Sequence, residues 1–405
     1  MRFLKILFPL FATLLVSCKD PNKGTEAPPV VLPQIYIDVA DSAEIVSKEN
    51  YLDADIRIDG KGVYDNFEGK TGIRGRGNTS WSFPKKPYKL KLETNEPLFG
   101  LAPYKTWILL SEYLDGSMLY NSVPYKTAEM LGIPYTNTII PVEVTINGLY
   151  RGLYAFTEHK QVAPNRIDLG ENGLLLELDK NYDEKWQFKS DKYDLPVMVK
   201  YPEGNDISPE IFENIKNDFE KLEALIYDDS FPNNDYLKHF DDVSFVNYLI
   251  VYLLTANAEI NHPKSVYINK LAGGKYRMGI IWDFDWAYGY SKSGNVSHYD
   301  LRTVSSPLFW QYVPSSGTLF FSRILEDPHI QKLLKQRWEW FKSKKYELLL
   351  EHVNHYKKIV ELAFEKDHAI WGNRGSTGYL DQDLENALNW LDARVEYIDT
   401  YLSSM

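Results

Sequence analysis

Ile280-Ile281-Trp282-Asp283-Phe284-Asp285-Trp286 runs from apolar side chains into two carboxylates two positions apart. An unpaired carboxylate costs several kcal/mol to bury, so Asp283 calls for a cation, an arginine or several backbone donors. If the run continues as a strand, its period of two turns Asp283 and Asp285 to one face. Two carboxylates so placed suit a hard divalent ion such as Mg2+ held beside phosphate oxygens. A carboxylate salt-bridged within a core is the competing reading.

Around this run the second half of the chain reads mainly as helices. A short hairpin leads into it, Ser265 to Asn269 and Tyr276 to Trp282 about Gly273-Gly274. Before the hairpin come a polar loop, Asn257-Ala258-Glu259-Ile260-Asn261-His262-Pro263-Lys264-Ser265, and a helix expected over Val243 to Ala258. That helix is apolar almost all round, which marks it as buried on most sides. Pro209 to Ile226 and the chain from Leu319 onward carry helical spacing as well.

The first half reads as strands. Gln34 to Asp38, Ala54 to Asp59 and Lys70 to Arg76 alternate with period two, as half-buried antiparallel strands do. Tyr88-Lys89-Leu90-Lys91-Leu92 sets its lysines on the face opposite Tyr88, Leu90 and Leu92. Asp115 to Leu131 is expected as a helix, with Asp115 and Ser117 able to cap its start and Gly132-Ile133-Pro134 ending it. Pro141 to Asn147 and Tyr150 to Glu158 form a hairpin about Asn147-Gly148, the dipeptide favoured in type I′ turns. One further apolar strand, Leu174-Leu175-Leu176-Glu177-Leu178, precedes a polar excursion through Tyr201. The fold class is therefore α+β, a β-rich part over 33–180 and a mainly helical part over 205–405.

At the start of the chain, Arg2 and Lys5 precede an apolar run from Ile6 to Val16, too short to span a membrane and suited to a signal peptide. Leu15-Val16-Ser17-Cys18 is similar to the site at which bacterial lipoproteins are cut and lipidated, so residues 1–18 are expected to be a lipoprotein signal ending at Cys18. The polar stretch 19–32 then serves as a flexible tether. The expectation is a protein held outside the cytoplasm, periplasmic or at the cell surface, touching the membrane through its lipid anchor only. Cys18 is the only cysteine, so the folded part depends on its core and not on disulfides. The chain carries a formal charge of -11, and loss of Arg2 and Lys5 takes it to -13, which argues against nucleic acid as a partner.

Several runs resemble the spore-coat CotH-type kinase family: Ile73-Arg74-Gly75-Arg76-Gly77-Asn78-Thr79-Ser80-Trp81, Lys85-Lys86-Pro87-Tyr88-Lys89-Leu90-Lys91-Leu92, Ile146-Asn147-Gly148-Leu149-Tyr150-Arg151-Gly152-Leu153-Tyr154, Glu158 and Trp282-Asp283-Phe284-Asp285. They occur in that family's order. The resemblance implies an atypical protein-kinase-like, two-lobe fold over 33–405 that binds ATP with Mg2+ or Mn2+ and phosphorylates protein side chains, here on a substrate at the cell surface. By that likeness Asp283 matches a metal-binding aspartate with Asp285 its neighbour. Arg76 and Glu158 fall toward the nucleotide, and the phosphate-contacting lysine lies on the strand of Lys86, Lys89 and Lys91, among which periodicity does not choose.

The loop 257–267 departs from the family pattern. Glu259 stands where a catalytic aspartate is expected, or Asn261 does if the extra residue is placed earlier, and Ser265 stands where a metal-binding asparagine is expected. Glutamate still accepts a proton, but its longer stem moves the carboxylate, and a misplacement on the order of 1 Å can cost about 10²-fold in rate. The alternative is thus a catalytically degenerate relative acting as a binding or scaffold lipoprotein. A third reading, glycan hydrolysis, would need two carboxylates facing one cleft about 5 to 10 Å apart. His262, beside Pro263, reads as a loop residue and not as a base.

Overall fold

The computed structural model describes residues 29–291, 296–310, 313–372 and 375–405. The proposed lipidation site, Cys18, and most of the tether lie outside the described residues.

The alternating segments of the first half become β1 (Gln34–Val39), β2 (Leu52–Asp59), β3 (Phe67–Gly75) and β4 (Tyr88–Glu96), followed by β5 (Tyr104–Leu110). Their apolar faces turn inward, with Ile37, Ile56, Ile73, Leu90 and Trp107 all buried. A helix, α1 (Ser122–Leu131), interrupts before the hairpin of β6 (Ile140–Ile146) and β7 (Leu149–Glu158). Asn147 and Gly148 both take positive φ at its turn, as a type I′ turn requires. Seven strands close into a barrel in the order β1-β2-β3-β4-β5-β7-β6. Closure is made by a parallel pair, Gln34 opposite Glu143 through Ile37 opposite Ile146, where the sequence pattern suggested antiparallel pairs alone. A closed barrel leaves no unpaired strand edge.

The barrel's outer face is apolar where it meets the rest of the protein. Along β5 and β7, Trp107, Leu109, Tyr154 and Phe156 fill the barrel, while Ile108, Leu110, Leu153 and Ala155 join a second, larger core. That core also takes in α1 and a five-stranded antiparallel sheet. The sheet contains β8 (Leu174–Leu178), β9 (Gln187–Lys189), β10 (Pro196–Tyr201), β11 (Val266–Lys270) and β12 (Arg277–Met278), in the order β12-β11-β8-β10-β9. Thus β8, inside the β-rich stretch 33–180, pairs with a strand from the second half.

Helices complete the body: α2 (Pro209–Tyr227), α3 (Asp242–Thr255), α4 (Ser316–Leu325), α5 (Pro328–Lys344), α6 (Tyr346–Val360), α7 (Phe364–Trp371) and α8 (Leu380–Ser403). Asp241 caps α3 by accepting from the Ser244 amide at 2.7 Å, and every residue from Phe245 to Thr255 is buried. No helix among the described residues is long and apolar enough to cross a membrane.

Two expectations are corrected. The helix placed from Asp115 begins only at Ser122. The Asp115 carboxylate does cap, but it collects the amides of Ser117, Leu119 and Tyr120 at 2.8, 2.6 and 2.7 Å, and Met118 takes positive φ. An aspartate that satisfies nearby amides in this way competes with the helix. The strand placed over Tyr276 to Trp282 shrinks to Arg277–Met278. Beyond it the chain turns, with Asp283 at φ +66°, so Asp283 and Asp285 do not sit on a strand face. Ile280, Ile281 and Phe284 are fully buried without ladder partners, so core burial, not pairing, fixes this segment.

Candidate active site

The end of α3 and the turn at Asp283 are tied together by one side chain. Asn257 accepts from the Glu259 amide at 3.0 Å and donates to the Asp283 carbonyl at 3.3 Å. This brings Glu259, Asp283 and Asp285 together, with one carboxylate oxygen of each lying within 4.8 Å of the others. Lys264 Nζ sits 3.2 Å from Glu259 Oε1. Glu259 Oε2 and Asp285 Oδ1 are buried and have no hydrogen-bond partner. Burial, then the charges of Asp283 and Asp285, holds the Glu259 carboxyl well above the usual carboxylate range. Burial, then Asp283, does the same to Asp285. Lys264 loses by burial but gains more from the three acids, so its ammonium is held above its ordinary pKa.

Asp283 and Asp285 line a polar cavity of about 340 Å³, with Glu259 beside them. Lys160, after β7, and Lys200, on β10, also line it, together with Glu177 of β8. Glu177 is 3.5 Å from Lys160 and 3.4 Å from Lys200, and it accepts the Tyr267 hydroxyl. Burial pushes Lys160 down; Glu177 opposes it. Burial would raise Glu177, but the two lysines hold it below its ordinary value. The loop after β3 closes the third side with Arg76, Gly77, Asn78, Thr79 and Ser80, and Arg76 lies over the Trp282 ring at 5.6 Å. Asp179 also lines the cavity, its carboxylate accepting from the amides of Asn181 at 2.7 Å and Ser265 at 3.2 Å.

Of the residues singled out from sequence, Arg76, Ser265, Asp283 and Asp285 line this cavity, and Glu259 joins the acids at its base. The lysine strand divides. Lys86 donates to the Trp81 carbonyl at 2.7 Å, and the half-exposed Lys91 faces a separate hollow with Tyr51 and Lys70. Lys89 points nearer the cavity, its Nζ 2.9 Å from His159 Nε2. Burial and the nearby Arg74 and Arg76 push Lys89 down to about 8. Glu158 lies in a neighbouring hollow of about 140 Å³ and accepts from the Thr138 amide at 2.8 Å. His262 stacks on Trp310, and burial pushes its imidazole down to about 4.

Sequence reasoning missed Lys160, Lys200, Glu177, Asp179 and Lys264. Glu177 carried a usable signal: an acid inside Leu174-Leu175-Leu176-Glu177-Leu178 needs a buried partner as much as Asp283 does. Lys160 and Lys200 had none, because their pairing with Glu177 joins the segment after β7 and strand β10 to β8.

Three converging carboxylates, two with unsatisfied buried oxygens, fit a hard divalent cation of the Mg2+ class, which takes oxygen ligands. The chain thus joins a β-barrel to a helical body and carries an acidic cluster beside a polar cavity that lysines and an arginine also line. The chain belongs to the CotH kinase family: the profile described as CotH kinase protein matches residues 73–398. No curated protein matches the chain. The matched span includes every wall of the cavity.

Proposed function

We propose that this protein is an atypical kinase of two lobes, the barrel and the helical body, binding Mg-ATP or Mn-ATP in the 340 Å³ cavity and phosphorylating protein side chains. The observation that carries this reading is the convergence of Glu259, Asp283 and Asp285 beside a cavity that Arg76, Lys160, Lys200 and Lys264 also line. The three acids hold the divalent cation, which when bound neutralises phosphate charge. Lys160, Lys200 and Arg76 take phosphate oxygens, with Lys89 the nearest member of its strand. The residues of the loop after β3 exclude water from the phosphates. Cys18 anchors the chain by lipid outside the cytoplasm, and 19–32 spaces it from the membrane.

A second reading, binding without transfer, is supported by the position of Glu259. Its Oε1 is engaged by Lys264 and its carboxylate converges with those of Asp283 and Asp285, a position that suits a cation ligand better than a base facing a substrate hydroxyl. Calorimetric titration of the protein with ATP and Mg2+ or Mn2+, beside Asp283→Ala, tests the shared part. Binding that the substitution abolishes supports the site, and absence of binding sinks both readings. Transfer of labelled phosphate to casein or to the protein itself then separates them.

A further inference from the structure

We infer that Lys85 and Asp367 form a positioning pair through which helix α7 sets the loop bearing Arg76 over the cavity. Neither residue lines the cavity, so both act through others. The loop leaves β3 at Gly75 and returns at Tyr88, and its base is closed by the Arg76 amide donating to the Pro87 carbonyl at 3.2 Å. Lys85 stands in the last part of the loop before β4, fully buried, an unusual place for an ammonium without a partner. Its Nζ lies 2.7 Å from Asp367 Oδ1 and donates to the Leu153 carbonyl at 2.5 Å. The same Asp367 oxygen accepts the Leu153 amide at 2.8 Å. The next residue is fixed as well, since the Tyr154 hydroxyl donates to the Lys86 carbonyl at 3.0 Å.

The barrel makes room for this contact. Gly152 takes φ +99°, and a Cβ there would stand 2.0 Å from Asp367 Oδ1. A few residues on, Trp371 Nε1 donates to the Arg151 carbonyl at 2.8 Å. One short helix, separated from Leu153 by 214 positions, therefore holds both β7 and the base of the loop. The loop's own bonds are short-range: the Ser82 and Phe83 amides donate to the Thr79 and Ser80 carbonyls at 3.0 and 3.3 Å, the Ser82 hydroxyl to the Thr79 carbonyl at 2.6 Å, and Lys86 to the Trp81 carbonyl at 2.7 Å. Its placement comes from the base and not from its tip. Removing one member of a buried pair strands a charge, whereas neutralising both members together is often tolerated.

That asymmetry supplies the test. The double variant Lys85→Met/Asp367→Asn leaves no buried unpaired charge and keeps an acceptor for the Leu153 amide. Hydrogen exchange is followed at the Arg76, Ser82 and Phe83 amides of the full chain, without ligand, with melting temperature as the check on folding. The expected result is a melting temperature within a few degrees of wild type and exchange at these amides at least tenfold faster, with the β8 amides unchanged. ATP affinity in the presence of Mn2+ should fall about tenfold, while affinity for Mn2+ alone stays the same. Unchanged exchange in the folded double variant overturns the inference. Should that variant not fold, Trp371→Phe, which removes only the bond to Arg151, must raise exchange at the same amides, and its failure to do so also overturns it. The ATP arm rests on the proposed function, the exchange arm does not, so a wild type that binds no ATP refutes that reading while leaving this one to be decided by exchange.

Discussion

Replacing Glu177 by Gln removes the negative charge bonded to both Lys160 and Lys200 while keeping an acceptor for Tyr267. Breaking a buried ion pair from one side costs about 3 to 5 kcal/mol. Lys160 and Lys200 keep 22% and 28% exposure against 6% for Glu177, which places the loss at the lower end, near 3 kcal/mol. Unfolding entropy is about 2.1 cal/mol/K per residue, so a chain of 405 residues loses roughly 4 °C of melting temperature. The sign with pH follows from Glu177, whose folded pKa lies below 4.5. Its contribution is present above that value and fades as pH falls through the lowered one, so the deficit should be full at pH 7 and shrink toward pH 3. Pyrophosphate supplies the missing charge and should stabilise Glu177→Gln more than wild type, read by calorimetric melting with and without 5 mM-scale anion, about the range in which weak anion sites fill. Equal melting temperatures at pH 7, or equal stabilisation by pyrophosphate, would refute the assignment of these lysines to an anion.

Burial, then Asp115, pushes Glu112 up to about 8, so its folded-state advantage is complete below pH 4.5 and lost as pH rises through 8. Glu112→Gln should match wild type near pH 5 and melt several degrees higher at pH 9. A Cβ at Gly317 would stand 2.1 Å from the Ile260 carbonyl oxygen and 2.7 Å from that of Asn261, both backbone atoms next to Glu259. Gly317→Ala should therefore lower Mn2+ affinity by about tenfold or more, measured by electron paramagnetic resonance titration, because the ligand geometry moves with the loop. Arg394, fully buried on α8, donates to the carbonyls of Leu253, Val304 and Ser306 at 2.7, 2.5 and 2.8 Å. Arg394→Met strands three acceptors and should cost about 3 kcal/mol or more by urea denaturation.

Local signals in the chain were readable and distant ones were not. Asn147-Gly148 specifies its turn by its own backbone preferences, and the apolar run Phe245 to Leu254 specifies a buried helix by composition. Asp283 announced its neighbourhood by being an acid in an apolar run, although the strand invoked to align it with Asp285 proved to be a turn. What aligns them is Asn257, 26 positions away, and no periodicity reports such a bond. Lys89 could not be preferred over Lys86 and Lys91 because alternation separates faces of a strand, not positions along one face. The parallel seam between β1 and β6 had no signal at all, since register between strands 109 positions apart depends on everything folded between them.

That seam has a consequence for how the protein is made. A hairpin forms as soon as its second strand exists, but β1 waits for β6 and β5 waits for β7, so the barrel stays open until the chain has grown past Glu158. Non-local pairing of this kind is slow to form. Until then both Gln34–Val39 and its future partner offer bare edges, and unpaired edges recruit other chains. The period of greatest risk of misassembly is thus written into the order of the strands, and a chain truncated just before Ile140 would carry that open edge permanently.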